Sequence, residues 1–565
     1  MKLTRRGWLG GVGAAALAAP ALAKTTGGGF QILSPGAGGH DYTAALAALS
    51  AYARAEIAEL GLPGMVLSVT DAEGFAAVIA IGLGDLEAGT PMRADHLVEI
   101  GSISKSFLAL TILALADKHR IDLDAPLARY LPEAALPTAP VSIRQLLSHT
   151  AGLPADAPMF PRVPGDQLWL GFAPGTRFSY SNTAYNLLGA AVERITGLSH
   201  QEAILRAVRA PLGLADIAGT IADADQTRYP RAYQVADQGA AAELPGSALD
   251  EAKWDPETLP AGCIAASAPM MARYLHGLLA IGAGRGAPVL SDASARAFTT
   301  PIAPSVEDFG AGSHYALGVA IQPVDGVPCL HHTGGMVAFT SSFHADPAAG
   351  VAAFASVNAR QGGYRPRQTT AYAVRLMRAV RARQPLPAPP DPWAPLRIKD
   401  PAALFGTFTA ADGRAFTIAP GSDFPRLLAA GASQPLYRTG VGLASPHPTF
   451  SRHVFDPVTA EGRMTGFWWG ESLFSRAARP AQPVSPERLT ALTGLYLNRD
   501  PWVGRAMVLA RGDLLVVEGV GPLAERAGFW SPAKDPGGIE RFRFDGFLNG
   551  RATRLNASGV DLLRL

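Results

Sequence analysis

Hydrophobic residues follow two kinds of spacing in the first two-thirds of the chain. In some stretches they recur every three or four residues, which is typical of helices, and in shorter ones they alternate or run on, which is typical of strands. This pattern predicts helices over 43–60, 105–119, 183–196, 266–281 and 369–383, and strands over 64–70, 75–81, 315–322, 327–332, 340–345 and 351–357. Because strands lie at both ends of the region, we expect one mixed sheet built from the two ends, with an inserted helical region.

The C-terminal part of the chain is set apart and repeats itself. A proline-rich stretch at 384–396 can form neither a helix nor a central strand, so it is interpreted as a stiff linker. The matched segments after it include Leu404-x-Gly406-x-Phe408 with Leu492-x-Gly494-x-Tyr496, and Phe455-Asp456 with Phe544-Asp545. Each copy alternates apolar and polar residues between glycine turns, and two copies are too few for a solenoid or propeller. We therefore expect two small antiparallel, lipocalin-like β-barrels over 397–480 and 485–565.

The first 23 residues have the features of an export signal. A basic start precedes an apolar stretch that ends in a small-residue cleavage pattern at 21–23, and residues 4–9 resemble the twin-arginine export motif. Glycines interrupt the apolar stretch, so it is too short to span a bilayer well; the alternative is an uncleaved N-terminal segment that stays embedded in the lipid as an anchor. We expect a periplasmic or secreted protein that meets the export machinery in transit and keeps no stable membrane span.

Composition excludes several classes of function. The 565 residues include 49 Lys and Arg against 47 Asp and Glu, and three of the basic residues lie in the predicted signal. No basic patch remains, so we expect no nucleic-acid partner. Two cysteines exclude a disulfide scaffold and every all-cysteine metal site, and we expect neither a metal nor another cofactor. Cys263 and Cys329 could pair after export or stay as thiols, which their spacing does not decide.

A candidate nucleophile lies at the start of a predicted apolar helix. In Ser102-Ile-Ser-Lys105 the serine at 102 and the lysine are three positions apart, so the Lys105 amine can reach the Ser102 hydroxyl on one helix face. A buried lysine can lose its proton near neutral pH and act as a base, and a helix amino terminus stabilises developing negative charge. Only seven of the 49 basic residues are lysines, and an arginine could not serve as this base.

A second segment, Tyr180-Ser-Asn182, leads into another predicted helix. A tyrosine beside a lysine ammonium can have a lowered pKa and shuttle protons. Asn182 could hold a substrate amide or orient the lysine.

A third segment, His332-Thr333-Gly334-Gly335, follows the predicted strand 327–332. Its glycines let a substrate backbone lie close to the strand, and the Gly335 amide could donate to an oxyanion. His332 adds a polar or cationic group.

In this order and at these spacings, the three segments resemble the serine β-lactamase and penicillin-binding protein superfamily. The likeness is greatest to its class C branch, which includes D-alanyl-D-alanine carboxypeptidases, D-aminopeptidases and esterases; residues 146–153 and 259–262 are similar to further family segments. The resemblance covers about residues 40–383. It implies an α/β (α+β) domain over 24–383, with a mixed, mainly antiparallel sheet flanked by helices. The paired barrels are similar to the extra domains of some D-aminopeptidase-like members.

The resemblance also implies roles for the candidate residues. Ser102 would form an acyl-enzyme, Lys105 and Tyr180 would share the acid–base work, and the amides of Ser102 and Gly335 would form the oxyanion hole. The substrate-binding and oxyanion residues are then Asn182, His332, Thr333, Gly334 and Gly335.

One departure from the family pattern affects the expected activity. Class C β-lactamases carry Lys-Thr-Gly where this chain has His332-Thr-Gly, and a histidine holds a β-lactam carboxylate less firmly. We therefore expect an exported serine hydrolase that acts on a small peptide, amide or ester, with D-residue peptides as one candidate substrate. Two alternatives stay open: a class C-like β-lactamase, and a penicillin- or peptidoglycan-binding protein with little turnover.

Overall fold

One sheet joins the two ends of the first region, as the sequence predicts, and its long strands all pair antiparallel. The computed structural model describes residues 29–565 apart from 135–139, 160–166, 238, 362–363, 478–480 and 536, so the predicted signal at 1–23 lies outside the described residues. The long strands of the sheet are β1 (Gln31–Pro35), β2 (Gly64–Asp71), β3 (Phe75–Asp85), β4 (Ala320–Val324), β5 (Val327–Gly335), β6 (Thr340–Asp346) and β7 (Val351–Val357). Their order is β1-β3-β2-β7-β6-β5-β4. β2 from one end pairs with β7 from the other, with Met65 opposite Val357.

Helices cover both faces of this sheet. The long helices are α1 (Thr43–Leu60), α2 (Ser104–Asp117), α3 (Asn182–Thr196), α4 (Ala268–Gly282) and α5 (Arg367–Arg381). α1 and α5 pack with Met65 and Leu67 on one face, and α2, α3 and α4 pack in the cluster that contains Val66 on the other. Because both faces are buried, every residue of β2 and β7 is buried, and β7 is a nearly continuous apolar run rather than an alternating one.

α2 is the most deeply placed helix of the candidate site. Its residues from Ser104 to Leu115 are all buried, so the helix is enclosed around its whole circumference rather than along one stripe. Lys105, in its first turn, is therefore held inside the core.

The predicted strand at 315–322 is two strands in the structure. His314–Tyr315 ends before a turn, and β4 begins at Ala320. Gly318, in the turn, has a φ of +86°, and an added Cβ would lie 3.2 Å from the Lys105 carbonyl oxygen. The chain leaves the sheet here because it passes directly against α2, where only a glycine fits.

Smaller elements complete the first region. Its short helices are Ile143–Leu147, His200–Ile204, Ala210–Leu212, Asp292–Thr299 and Val306–Phe309. Its short strands are Thr90–Pro91, Val98–Glu99, Ile217–Ala218, Tyr233–Val235, Leu249–Glu251, Ala265–Ala266, Ala303–Pro304, His314–Tyr315 and Ala359–Arg360. Val98–Glu99 pairs with Ala265–Ala266 and leads directly into the Ser102 turn.

The C-terminal region contains two barrel-like sheets, as predicted. The first is a nine-stranded sheet whose strands are Gly406–Ala410, Ala415–Ala419, Arg426–Ala429, Ala432–Pro435, Tyr437–Thr439, Gly442–Ala444, Phe455–Ala460, Arg463–Trp469 and Ser472–Ser475. The second follows the short helix Glu487–Thr490 and is a closed eight-stranded barrel of Gly494–Leu497, Arg505–Arg511, Leu514–Val517, Gly521–Arg526, Phe529–Pro532, Phe542–Asp545, Arg554–Ala557 and Val560–Arg564.

The repeated glycines occupy equivalent places in the two sheets. Gly406 and Gly494 have φ values of +134° and +148°, and each is followed two residues later by a fully buried aromatic residue, Phe408 or Tyr496. The predicted repeat therefore corresponds to a structural repeat.

The linker and the cysteines are both incorporated into the packed protein. Trp393 and Leu396 of the proline-rich stretch pack against apolar clusters on both of its sides. Cys263 and Cys329 are both free and buried, and they belong to the clusters on opposite faces of the sheet. Within the described ranges, no helix is long and apolar enough to cross a membrane.

Candidate active site

The Ser102 hydroxyl and the Lys105 amine meet at the start of α2. Ser102 lies in the 3₁₀ turn Gly101–Ile103, which runs into α2, and its side chain is partly exposed. Lys105 Nζ lies 3.0 Å from Ser102 Oγ, 2.7 Å from Asn182 Oδ1 and 2.9 Å from the Ala261 carbonyl oxygen. The spacing of three residues thus brings the two groups together as predicted.

The surroundings of Lys105 favour its uncharged form. Burial lowers the pKa of Lys105 to about 7, and the weaker effects of Asp156 and Cys263 act in the opposite direction. A neutral amine has two N–H groups and one lone pair. The two N–H groups match the Asn182 and Ala261 oxygens, so the lone pair is left facing the Ser102 hydroxyl.

Tyr180 lies beside the lysine, but its pKa moves in the direction opposite to expectation. Lys105 Nζ is 4.9 Å from the centre of the Tyr180 ring. Burial raises the pKa of the Tyr180 phenol, although the Ser102 hydroxyl and the Arg365 guanidinium act to lower it. Because desolvation outweighs the neighbouring groups, Tyr180 is a neutral hydroxyl near pH 7 and is suited to donate a proton rather than to remove one.

Asn182 orients the lysine. It is the first residue of α3, whose preceding residue Ser181 caps the helix by accepting a hydrogen bond from the Ala184 amide. Asn182 Oδ1 accepts from Lys105, and Asn182 Nδ2 donates to Asp156 Oδ1 at 2.7 Å. Both ends of the side-chain amide are occupied, so the structure favours the orienting role over the substrate contact.

His332 differs from its expected role as a substrate-binding group. The side chain is 1% exposed, with Nε2 3.0 Å from Tyr315 Oη and Nδ1 2.7 Å from the Thr333 carbonyl oxygen. Burial, with the Lys105 charge as a second cause, lowers the pKa of His332 to about 3. A neutral ring that donates through Nδ1 to Thr333 and accepts from Tyr315 through Nε2 has no nitrogen left for a substrate. Alternation along β5 places the His332 side chain on the same face of the strand as the buried Leu330.

The end of β5 presents a free edge to the nucleophile. Residues beyond His331 have no partner in β4, because that strand begins at Ala320 opposite His331. The Met336 amide bonds to the Phe339 carbonyl across the hairpin, and antiparallel residues alternate, so Gly335 directs its N–H and C=O away from β6. An added Cβ on Gly101 would lie 2.8 Å from both Gly335 N and Gly335 O, which shows how closely this edge approaches the Ser102 turn.

Thr333 and Gly334 alternate in direction along this edge. Thr333 is partly exposed and lies opposite Ser342 of β6, whereas Gly334 is buried. An added Cβ on Gly334 would contact the Ile100 carbonyl oxygen, so a glycine is required for β5 to pack against the turn.

Two residues at the site were not anticipated from the sequence. Arg365 lies over Gly335, where an added Cβ on the glycine would be 3.1 Å from Arg365 Cζ. Its guanidinium donates to the Tyr364 carbonyl oxygen at 2.7 Å and forms no ion pair with any described carboxylate. Burial lowers the pKa of Arg365 to about 10. His149 is fully buried with its ring centre 4.3 Å from that of Tyr180, and its Nδ1 accepts from the Ser181 amide. His149 lies in the segment 146–153, which the resemblance had already marked, but no sequence pattern pointed to Arg365.

Among the residues that the structure describes, no three His, Cys, Asp or Glu side chains are grouped as ligands for a metal ion.

Comparison with known proteins identifies the family. Residues 49–377, more than half of the chain, match the family model described as Beta-lactamase. The chain belongs to the beta-lactamase family. Ser102 and Lys105 both lie inside the matched range.

Named relatives in the beta-lactamase family include hydrolases of more than one kind. Esterase EstB of Burkholderia gladioli is 35% identical over 179 residues, which cover 27% of this chain and 45% of EstB. The D-alanyl-D-alanine-carboxypeptidase/endopeptidase AmpH of Escherichia coli strain K12 is 30% identical over 200 residues, which cover 32% of this chain and 50% of AmpH. The chain thus spans about half the length of these curated relatives.

A solved structure supports the fold. The octameric penicillin-binding protein homologue from Pyrococcus abyssi aligns with a TM-score of 0.54 at 20% identity, covering 75% of this chain and 98% of that one. The fold is therefore β-lactamase/transpeptidase-like, and this chain is a member of the serine hydrolase superfamily with esterase and carboxypeptidase relatives.

Proposed function

We propose that this protein is an exported serine hydrolase that cleaves a peptide, amide or ester bond through an acyl-enzyme on Ser102. The observation that supports it most directly is the Lys105 amine, 3.0 Å from Ser102 Oγ, with a pKa lowered to about 7 by burial. At that pKa a large fraction of the amine is uncharged near neutral pH and can take the serine proton.

The proposed reaction follows from the positions of these groups. Ser102 Oγ attacks the substrate carbonyl carbon as its proton passes to Lys105 Nζ, and the oxyanion that forms accepts hydrogen bonds from the Ser102 and Gly335 amides. Tyr180 gives its proton to the departing nitrogen or oxygen as the carbonyl bond to it breaks, and the Lys105 proton restores the phenol. Water then attacks the ester on Ser102, with the proton movements reversed, and releases the acid.

Arg365 supports a substrate whose leaving group carries a carboxylate. His332 is uncharged and enclosed, so it supplies no cation at this edge, whereas the Arg365 guanidinium lies over Gly335 without an ionic partner among the described residues. A guanidinium pairs strongly with a carboxylate because it offers two parallel N–H donors. A short peptide with a free C-terminus is the substrate that fits, and a D-residue at that end agrees with the activity for which the relative AmpH is named, that of a D-alanyl-D-alanine carboxypeptidase.

Labelling at the nucleophile tests the proposal. Wild type, Ser102→Ala and Ser531→Ala would each be incubated with a fluorophosphonate and measured by intact mass. Ser531 is the matched control because Ser531 and Lys534 repeat the same spacing around a barrel strand, Phe529–Pro532. We expect one adduct on wild type and on Ser531→Ala and none on Ser102→Ala; equal labelling of all three would refute Ser102 as the nucleophile.

Substrate panels separate the proposal from its alternatives. We expect turnover of D-residue peptides, amides or esters by wild type and none by Ser102→Ala. Rapid hydrolysis of a chromogenic cephalosporin would favour a β-lactamase instead. A stable penicillin adduct on Ser102, without release and without turnover of any peptide or ester, would favour a penicillin-binding protein.

A further inference from the structure

The second barrel rests on the rim of the candidate active site. Trp169 Nε1 donates to the Ile539 carbonyl at 2.7 Å, and Arg177 pairs with Asp535 at 2.8 Å. An added Cβ on Gly171 would lie 2.8 Å from Ile539 Cα, so the two backbones touch where a glycine permits it. The barrel is thus held by aromatic, ionic and backbone contacts against the first region of the chain, which contains the candidate active site and is called the catalytic region below.

One carboxylate crosses this interface. Glu540 Oε1 accepts the Ala155 N–H at 2.8 Å, and Glu540 Oε2 accepts the Ser558 hydroxyl at 2.5 Å. Both oxygens are therefore occupied, one by the catalytic region and one by the barrel. The side chain is half-buried, where a charge-assisted hydrogen bond holds its geometry better than on an open surface.

The segment that Glu540 holds is the one that orients Asn182. The Ala155 carbonyl accepts the Asn182 and Thr183 amides at 2.8 and 3.1 Å, which fixes the first turn of α3. The next residue, Asp156, accepts the Asn182 side-chain amide, whose oxygen in turn accepts from Lys105. The Asp156 charge also acts to raise the pKa of Lys105.

We propose that Glu540 is a positioning residue for Lys105, which makes the second barrel part of the catalytic machinery. Glu540 acts through the Ala155–Asp156 segment. By holding this segment it maintains the hydrogen bond from the Asn182 side-chain amide to the Asp156 carboxylate, and this in turn maintains the hydrogen bond from the Lys105 amine to the Asn182 oxygen. The inference rests on the proposed function, because it assigns Glu540 a role in the Ser102 chemistry. Without the Glu540 acceptor, the segment loses the partner of its amide and the Asn182 orientation loosens.

Loss of this support has a signature in pH. If Asp156 moves away, the pKa of Lys105 falls, and the amine stays neutral to lower pH while it is less well aimed. Among the described residues, the other titratable groups around the amine are Cys263, His149, His332, Tyr180 and Tyr185, and none of them hydrogen-bonds to Glu540. A slower reaction, in which the loss of rate on acidification occurs at lower pH than in wild type, therefore indicates that Glu540 acts through Asp156.

The experiment measures the second-order rate constant for fluorophosphonate labelling between pH 5.5 and 9. Glu540→Leu removes the acceptor at similar size, and Glu540→Gln keeps a carbonyl oxygen for the Ala155 amide. Glu525→Gln is the matched control, because Glu525 lies on the same barrel in an exposed pair with Arg488, with side chains about 60% exposed. Melting temperatures are measured on the same samples.

We expect Glu540→Leu to label about 10- to 100-fold more slowly than wild type, as for loss of a hydrogen bond to a charged group, with its acid limb at lower pH. Glu540→Gln should recover most of the rate, and Glu525→Gln should match wild type. An unchanged rate and pH profile in Glu540→Leu would overturn the inference, as would equal losses in Leu and Gln variants without a pH shift. Failure of wild type to label at Ser102 would instead refute the proposed function.

Discussion

The buried Lys105 amine should make the stability of the protein depend on pH in a defined way. Its pKa is lowered from 10.5 to about 7 because the side chain is fully buried. Keeping it uncharged at pH 7 therefore costs on the order of 5 kcal/mol relative to the unfolded chain, where lysine stays protonated. The unfolded state binds more protons than the folded state between pH 7 and about 10, so stability rises with pH across that window and is lost as pH falls towards 7.

Lys105→Met removes this titration while keeping an unbranched side chain of similar length. The hydrogen bonds to Asn182 and Ala261 are lost at every pH, so they add a constant to the free-energy difference, whereas the titration adds a slope. We expect the unfolding free energy of Lys105→Met relative to wild type to fall by about 1.4 kcal/mol for each pH unit above 7. Burial raises the pKa of the neighbouring Cys263 to about 12, but Cys263 is present in both proteins, so its contribution cancels in this difference.

Urea unfolding at pH 7, 8 and 9, followed by fluorescence, measures this slope. Lys118→Met is the matched control, because Lys118 follows α2 directly and is exposed. Its unfolding free energy should keep a constant difference from wild type. A Lys105→Met difference that is also independent of pH would mean that the buried lysine is charged in the folded protein, and the assignment of Lys105 as a base would fail.

Three further outcomes are expected. Fluorophosphonate labelling of wild type should fall about tenfold per pH unit well below 7, because protonated Lys105 has no lone pair; labelling that stays constant down to pH 5 would contradict this. Arg365→Met should raise KM about 10- to 100-fold for a peptide with a free C-terminal carboxylate and change it less than about threefold for the matching amide; equal effects on both would exclude carboxylate recognition. Gly318→Ala should lower the unfolding free energy by about 1–3 kcal/mol more than Gly326→Ala, since both glycines have positive φ but only Gly318 abuts α2; equal losses would show that the contact with α2 does not matter.

Local patterns were sufficient for the elements and for the nucleophile. The predicted helix over 43–60 coincides with α1, because an Ala- and Leu-rich run without proline or glycine has few alternatives. Ser102 and Lys105 could be paired because their contact lies within one helical turn. The repeated spacing around Gly406 and Gly494 likewise carried enough information to predict two similar units.

The sequence patterns could not predict contacts between segments that are far apart in the chain. Asp156 reaches Asn182 from a loop without periodicity, and Arg365 reaches Gly335 from a connection between a strand and a helix. The role expected of His332 changed because alternation along β5 turns it inward, a direction that depends on which face of the strand the sheet buries. The pKa of Tyr180 depended on desolvation, which only the packed structure reveals.

The pairing of β2 with β7 has a consequence for how the chain acquires its structure. About 290 residues separate Met65 from its partner Val357, so the apolar strand Gly64–Asp71 has only β3 beside it until nearly two-thirds of the polypeptide has been synthesised. Until then its other edge presents unpaired backbone groups between hydrophobic side chains, which is the kind of edge that associates with other chains. Long-range pairing of this sort also slows folding, because loop closure must precede the contact. Nascent chains that stop before residue 351 should therefore depend on chaperones, whatever the quality of their local helices.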